Sequence, residues 1–582
     1  MRTGFIILSL GLSFVLVGCN GRDVPSRLTD RLAYQNRLQG MWLGATIANW
    51  TGLITERARQ EAPFYTDDDW NTLQTAVTEW QEDQIIDFVF QDPWLADDDT
   101  DIEYIYLHLM TQHQTPYLTG AQIAEGWQTH INRNIWVSNA SARDLMHHHA
   151  KPPVTSLLAV NPNALMIDAQ LTTEFFGALA PGLPERALEL ADLPIRTTAT
   201  GYAAHAAQFY VVLYALASQV DTAMPPEEQV VWLVQEARKY LPDSSKTADI
   251  VDFVVADFEN NPDRNEWERT RDLVYKRYQL DAVENGFVYR DWVESSVNFA
   301  TGIIALLYGG GNYKRTVQIG TLSGWDSDNG TSTMGGLLGL MLGHDGLVAQ
   351  FPEQNMSDRY HVWRTRDGLP DYLTDDAQAE DTFALMAERM IPLVERVILD
   401  AGGSVNDGTW TLPERANANV ALNPTHQLYL ASNNNQVVLA GGSVTAVSGT
   451  TSGNTSAVVD GHEFNFSGQE VFDLPTSFEV KEMETAVFLE ITYSHIVPIS
   501  TIQSVEGAGG GFEHVDIELL IEDEWVPAIL NMDQSSELDA HMGYQLLEFV
   551  LNEPQQALGF RLIGTIPENS SGFHLLEIDS FR

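Results

Sequence analysis

The hydrophobic period of this chain changes once along its length, and that change limits what it can fold into. From about Leu28 to Ala401, apolar residues recur every three or four positions. EEQVVWLVQEARKYL (Glu227 to Leu241) and DTFALMAERMIPLVERVIL (Asp381 to Leu399) are examples, and the spacing is that of one helix face. Beyond AGGSVNDGTWTLPERANANVALNP (Ala401 to Pro424), the period drops to two. Short runs such as TAVFLEITYS, HVDIELLIED and FHLLEIDSF follow, separated by turn residues. A helix stripe and an alternating strand cannot share one pattern, and 582 residues exceed what a single core can organise. The expectation is an all-α domain over residues 28–401, a linker over 402–424 and a β-sandwich over 425–582.

Charge narrows the partners. The chain has 80 acidic and 32 basic residues, a formal net charge of −48. Such a surface repels phosphate backbones and offers no basic stripe, so nucleic acid is excluded as a partner. The start, MRTGFIILSLGLSFVLVGCN, places an apolar run from Gly4 to Gly18 behind Arg2. That run is short of the roughly 20 residues a membrane-spanning helix needs, and it reads as a secretory signal. LVGC at its end resembles the lipobox of bacterial lipoproteins. Cys19 is the only cysteine, so no internal disulfide competes for it, and lipid attachment is its expected use. The resemblance implies a signal peptide over residues 1–19 and a palmitate-bearing membrane anchor. Asn20, rather than Asp, as the second mature residue points to the outer membrane of a Gram-negative cell envelope.

The chemistry-bearing residues are carboxylates. Asp326 and Asp328 lie one residue apart in GTLSGWDSDNGTSTMGGLLGLMLG, between a glycine turn and an apolar stretch. Two like charges in one loop are useful when a cation sits between them, and hard oxygen ligands suit magnesium, calcium or manganese. One Asp-x-Asp is a weak signal, because acidic turns contain it often. A second cluster, Asp97, Asp98 and Asp99 before Thr100, opens an amphipathic helix. Capping and metal binding both account for it from this segment alone. Two separate clusters are the minimum for a bridged pair of metals. The helix behind the loop carries Gly335, Gly339 and Gly343 at four-residue spacing, which suits close helix crossing. His147 to Ala150, HHHA, reads as a polar loop rather than a zinc site, since consecutive side chains diverge.

Four segments occur in the order found in the ADP-ribosylglycohydrolase family. GMWLGATIANWTGLITE (Gly40 to Glu56), DDDTDIEY (Asp97 to Tyr104), IDAQLTTEFFGALAPGLPERALELA (Ile167 to Ala191) and GNYKRTVQIGTLSGWDSDNGTSTMGGLLGLMLG (Gly311 to Gly343) resemble its motifs. The resemblance spans the helical domain and implies an all-α fold with two Mg2+ ions, Mn2+ being a possible substitute. It implies Asp98, Asp99, Asp326 and Asp328 as metal ligands, with Glu56 beside the metals. Asp97 stands where the family has Thr and adds a carboxylate. Asn329 stands where another family Thr lies, and its amide oxygen would substitute. Glu56, Asp98 and Asp328 are the candidate catalytic groups; Asp168 and Gln170 fall in a matching motif, with Gln170 the candidate substrate contact. Trp325 could stack on an adenine or sugar ring, or it could be a core aromatic.

The implied reaction is metal-assisted hydrolysis of an N- or O-glycosidic bond of an ADP-ribosyl or related ribosyl or glycosyl conjugate. Asp97 and Asn329 keep open a catalytically silent nucleotide-sugar or glycan binder, and the compartment keeps open a glycan hydrolase on the same fold. The C-terminal segments HVDIELLIEDEWVPA and ALGFRLIGT resemble the discoidin or galactose-binding-like jelly roll, which implies a glycan partner for that domain.

Overall fold

The structure is a computed structural model. It describes residues 27–413 except 79–80, 96, 148–149, 159–160, 363, 366–379 and 407. In the C-terminal part it describes 437, 440–447, 450–452, 478–482, 487–506, 512, 514–530, 545–565 and 573–581. The signal segment, Cys19, Asn20 and the HHHA histidines at 148–149 lie outside the described residues.

The first part is helical. Its α-helices are α1 (Arg31–Gly52), α2 (Asp98–His113), α3 (Gly120–His130), α4 (Val137–His147), α5 (Asp168–Thr172), α6 (Pro184–Ile195) and α7 (Gly201–Leu216). They continue with α8 (Pro226–Arg238), α9 (Lys246–Asn260), α10 (Trp267–Tyr275), α11 (Ser295–Gly309), α12 (Tyr313–Leu322), α13 (Ser327–Val348) and α14 (Phe383–Asp400). Among the described residues, no helix is long and apolar enough to cross a membrane.

Two central helices, α1 and α13, touch backbone to backbone, and glycine makes that possible. A Cβ on Gly44 would lie 2.5 Å from the Gly335 carbonyl oxygen; one on Gly339 would lie 2.2 Å from that of Gly40. The four-residue glycine spacing on each helix puts these positions on one stripe. Gly343 kinks α13 at φ 72°, a left-handed conformation that glycine tolerates. The helices are held further by the hydroxyl of Tyr313, which donates to the Gly44 carbonyl at 2.7 Å. Polar ends are satisfied locally. Asp30 caps α1 by accepting from the Ala33 N–H at 2.9 Å, and the Thr100 hydroxyl accepts the Asp97 N–H at 3.2 Å at the start of α2.

The expected linker needs correction at its start. Residues Ser404–Asn406 and Thr409–Leu412 form a hairpin whose second strand pairs antiparallel with Arg27–Asp30. Trp410 is fully buried in the helical core and packs edge-on against Tyr34 at 5.5 Å. Burial of one large indole holds this segment to the helices, so the helical unit extends at least to Leu412. A strand-rich region follows, as the period change requires. Its described strands join in one antiparallel eight-stranded sheet. Val487–Glu506 pairs with Gln545–Thr565 for most of its length, with Ser443–Val447 near its start and with Phe573–Phe581 near its end. Leu489, Ile491, Ile517, Leu519, Phe560 and Leu562 build a separate apolar core.

The glycine contact generates a first prediction. Gly44→Val forces α1 away from the Gly335 carbonyl, an overpacking cost of about 1–3 kcal/mol or more. A thermal melt of the full chain should fall by several degrees, whereas Gly346→Ala, where an added Cβ meets only Leu342 at an ordinary 3.4 Å, should change it little. Equal losses at both positions would show that the helix contact is not what is being measured.

Candidate metal centre

The ends of helices from distant parts of the chain converge on one point. The N-cap of α2 supplies Asp97 and its first turn Asp98 and Asp99; the N-cap of α13 supplies Asp326 and its first turn Asp328. The C-terminal half of α1 supplies Asn49, and Glu56 follows that helix. The N-terminal ends of α2 and α13 carry partial positive charge, which favours carboxylates there. Close approach again depends on glycine: a Cβ on Gly52 would lie 2.4 Å from the Asp328 Cα.

The carboxylates form two groups that share one member. Asp97, Asp99 and Asp328 offer oxygens all within 4.8 Å of one another, and so do Glu56, Asp326 and Asp328. Asp97, Asp99 and Asp328 are 1%, 4% and 4% exposed, so their charges receive little help from water. The Asn49 amide nitrogen lies 3.3 Å from an oxygen of each. One NH2 has only two hydrogens for three carboxylates. Asp328 Oδ1 is buried with no hydrogen-bond partner. The pKa values follow. Burial raises Asp99, Asp328, Asp326 and Glu56 well above the carboxylate range, and neighbouring charges raise them further: Asp328 on Asp99, Asp326 on Asp328, Glu56 on Asp326 and Asp328 on Glu56. Crowded, dry, oxygen-only ligands with an orphaned buried oxygen fit a hard divalent cation, and the shared Asp328 fits a bridged pair.

The placement of the expected residues differs from the sequence reading in three ways. Asp98 lies outside both groups. Asp97, with extended backbone at φ −114° and ψ 173°, points with Asp99, while Asp98 at the first helical position is rotated off that direction and is only half-buried. Burial and Asp97 still raise its pKa. Asn329 does not stand free as a ligand: its amide oxygen accepts the Gln170 side-chain N–H at 3.2 Å. Gln170, 1% exposed, accepts in turn from the Ser295 hydroxyl at 3.1 Å. The pair therefore braces α5, α11 and α13 behind the carboxylates, and Gln170 has no open face for substrate. Trp325 lies in the aromatic packing of the helical core. It is fully buried against Phe64, ring centroids 4.8 Å apart, and donates its indole N–H to Gln279 at 2.7 Å. Asp168 caps α4, accepting from the Ser138 hydroxyl and the Asn139 N–H at 2.5 and 3.1 Å.

Two residues went unnoticed in the sequence. Asn49 was marked only by being polar within the apolar GATIANW. Arg364 reaches Asp97 Oδ1 at 3.2 Å from the segment after α13, and nothing in its local sequence announces this. The backbone beside the site has positive φ at Arg57, next to Glu56, and at Trp325, next to Asp326, at 63° and 54°. Such conformations gather at functional sites.

A model of the ADP-ribosylglycohydrolase family matches residues 30–387, more than half of the chain. The chain belongs to the ADP-ribosylglycohydrolase family. Membership places it among glycosidic hydrolases, and the acidic groups above could hold a metal ion. No curated protein matches it. Solved structures that overlap it include the Streptococcus pneumoniae beta-galactosidase BgaA, at 10% identity and TM-score 0.18 over 24% of this chain and 90% of that one. A second is the family 32 carbohydrate-binding module of C. perfringens NanJ in complex with galactose, at 10% identity and TM-score 0.17 over 24% and 99%. A third is a chitosan-binding module from Paenibacillus sp. IK-5, at 10% identity and TM-score 0.18 over 25% and 98%. Overlaps this short, with scores this low, assign nothing to the chain.

The buried acids make a second prediction. Carboxylates with raised pKa hold protons in the folded chain that the unfolded chain has released, so stability falls as pH rises between the two values. Glu174 and Glu294, both pushed up to about 7 by burial, act in the same direction. Metal-free protein should therefore melt lower at about pH 7 than at about pH 5, and Mg2+ should raise the melt more at the higher pH because binding expels protons. A melt that is independent of Mg2+ at both would remove the metal assignment.

Proposed function

We propose that this chain is a metal-dependent hydrolase of an N- or O-glycosidic bond in an ADP-ribosyl or related ribosyl conjugate, carried on a cell-envelope lipoprotein. The observation that supports it is the pair of carboxylate groups sharing Asp328 inside a family of glycosidic hydrolases. Asp97, Asp99, Asp328, Asp326 and Glu56 would hold two Mg2+ ions, or Mn2+. Bound there, the ions would fix a vicinal diol and acidify a water. The side chains divide the remaining work. Asp328 belongs to both groups and orients both halves of the site. Glu56 is half-buried, with a pKa raised first by burial and then by Asp328, and its place beside Asp326 and Asp328 makes it the first candidate to accept a proton. Asp98, beside the groups but outside them, is the second candidate for proton transfer. Asn49 sits among three carboxylates and can donate its amide hydrogens to two of them at a time.

The test is a screen of the full chain against ADP-ribosyl conjugates and aryl glycosides. Hydrolysis should require Mg2+, stop with EDTA, and fall by orders of magnitude in Asp328→Ala. Activity that survives both chelator and substitution rules out the reading. Tight binding of ADP-ribose with no turnover would instead make the chain a silent nucleotide-sugar binder.

The anchor and the C-terminal domain belong to the same proposal. Cys19 would carry the lipid, placing the enzyme at the outer membrane, and the strand-rich domain, 425–582 in the sequence reading, would hold it near glycan. Cells fed labelled palmitate should label the wild-type chain and not Cys19→Ser. Equal labelling would dismiss the lipoprotein assignment.

A further inference from the structure

Glu56 and Asp326 belong to one group of carboxylates, yet they come from separate loops and their like charges oppose each other. Two backbone hydrogen bonds bring those loops together. The N–H of Arg57, next to Glu56, donates to the Trp325 carbonyl at 2.8 Å. The N–H of Trp325, next to Asp326, donates to the Arg59 carbonyl, also at 2.8 Å. Gly324, at φ 97°, leaves room for the second bond: a Cβ there would lie 2.7 Å from the Arg59 oxygen.

A side chain braces this pairing. Trp325 donates its indole N–H to Gln279 at 2.7 Å, and Gln279 donates its own amide N–H to the Gln60 carbonyl at 3.0 Å. An indole N–H only donates and a carbonyl only accepts, so a carboxamide suits both ends at once. The contacts close a circuit: from the Trp325 ring through Gln279 to Gln60, along the chain to Arg59 and Arg57, and back across the backbone bonds. Satisfying a buried indole takes one acceptor, and the Tyr289 hydroxyl also hydrogen-bonds that side chain. Gln279 carries the contact on to the loop of Glu56.

Gln279 reaches this place from an unusual turn. After α10 the chain makes a π-helical turn, Lys276–Leu280, closed by the Asp281 N–H on the Lys276 carbonyl at 2.8 Å. Such turns are rare and gather at functional sites. This one is tied to α9, where Arg277 donates to both oxygens of Asp249 at 2.8 and 3.0 Å and the Tyr278 hydroxyl donates to Asp249 at 3.0 Å. Gln279 therefore projects from a support that is held independently of it.

We propose that Gln279 is a positioning residue for the cation held by Glu56, Asp326 and Asp328, because tying the Trp325 ring to the Gln60 carbonyl sets the separation of the two loops. This rests on the metal reading above and deepens it by making the two ion sites unequal in their support. Asp97 and Asp99 lie at the start of α2, outside the circuit. Gln279 acts through the loops and ligates no ion.

The experiment is titration of the metal-free full chain with Mn2+, followed by the electron paramagnetic resonance of the free ion. Wild type should take up two ions. Gln279→Met keeps the length of the side chain and removes both bonds; it should weaken one site by roughly tenfold or more and leave the other unchanged. Trp325→Phe, which keeps an aromatic ring without the indole N–H, should weaken that same site. Glu56→Ala should also weaken it, so adding Gln279→Met to Glu56→Ala should cost little more. Leu280→Ala, exposed on the same turn, should bind both ions like wild type. Gln279→Met binding both ions like wild type overturns the inference, and so does equal weakening of both sites, the mark of a general loss of structure. Either result leaves the metal reading standing. Wild type that takes up only one ion also overturns the inference, and wild type that takes up none removes the metal reading with it.

Discussion

The contact between α1 and α13 is the constraint on which the rest of the helical domain depends. Each helix presents a glycine stripe, so their backbones approach to a separation that any side chain would prevent. Their contact brings Asn49, on α1, within reach of Asp328, on α13, and Gly52 leaves room for the α13 N-terminus. A wider crossing would separate the two walls of the carboxylate site. Close packing of a core thereby sets the geometry of a polar centre.

That centre is expensive to bury. Its carboxylates sit where water cannot compensate them, and the protein's own offsets are partial: two helix N-termini, the Asn49 amide and Arg364. One turn further along α2 from Asp99, Glu103 repeats the problem against Glu174 on a smaller scale. Burial raises both, and the Thr333 hydroxyl donates to Glu174 at 2.9 Å. There the charge can be relieved by holding protons. At the outer layer, crowding of three and more carboxylates around Asp328 is relieved most fully by a cation, so the raised pKa values and the proposed metals express the same electrostatic strain.

Much of this was legible in the sequence, for reasons that can be named. Two periods of hydrophobicity separate two kinds of core, and four ordered motifs identify a family. The glycine spacing in GWDSDNGTSTMGGLLGLMLG announces a close helix contact. Individual side-chain roles were less legible. Trp325 looks like a stacking platform because it adjoins Asp326, but a residue at φ 54° turns its ring away from its neighbour's direction and into the aromatic core. Asp97, Asp98 and Asp99 are equivalent on paper. The helix start at Asp98 sorts them, since a cap with extended backbone and a side chain in the first turn project differently. The change in composition around Trp410 reads as a linker, and only burial of its ring against Tyr34 shows that the residues beside it pack with the helices.

The sequence by itself determined the fold class, the family and the stock of carboxylates, because periodicity and motif order are properties of neighbours along the chain. Which oxygens meet, and what faces them, was decided by tertiary structure. Arg364 lies 267 positions from Asp97, and Gln170 lies 159 from Asn329; their pairing depends on where α1, α2, α5 and α13 end in space. Electrostatic partners interact across a few ångströms regardless of sequence separation, and no local pattern encodes that distance.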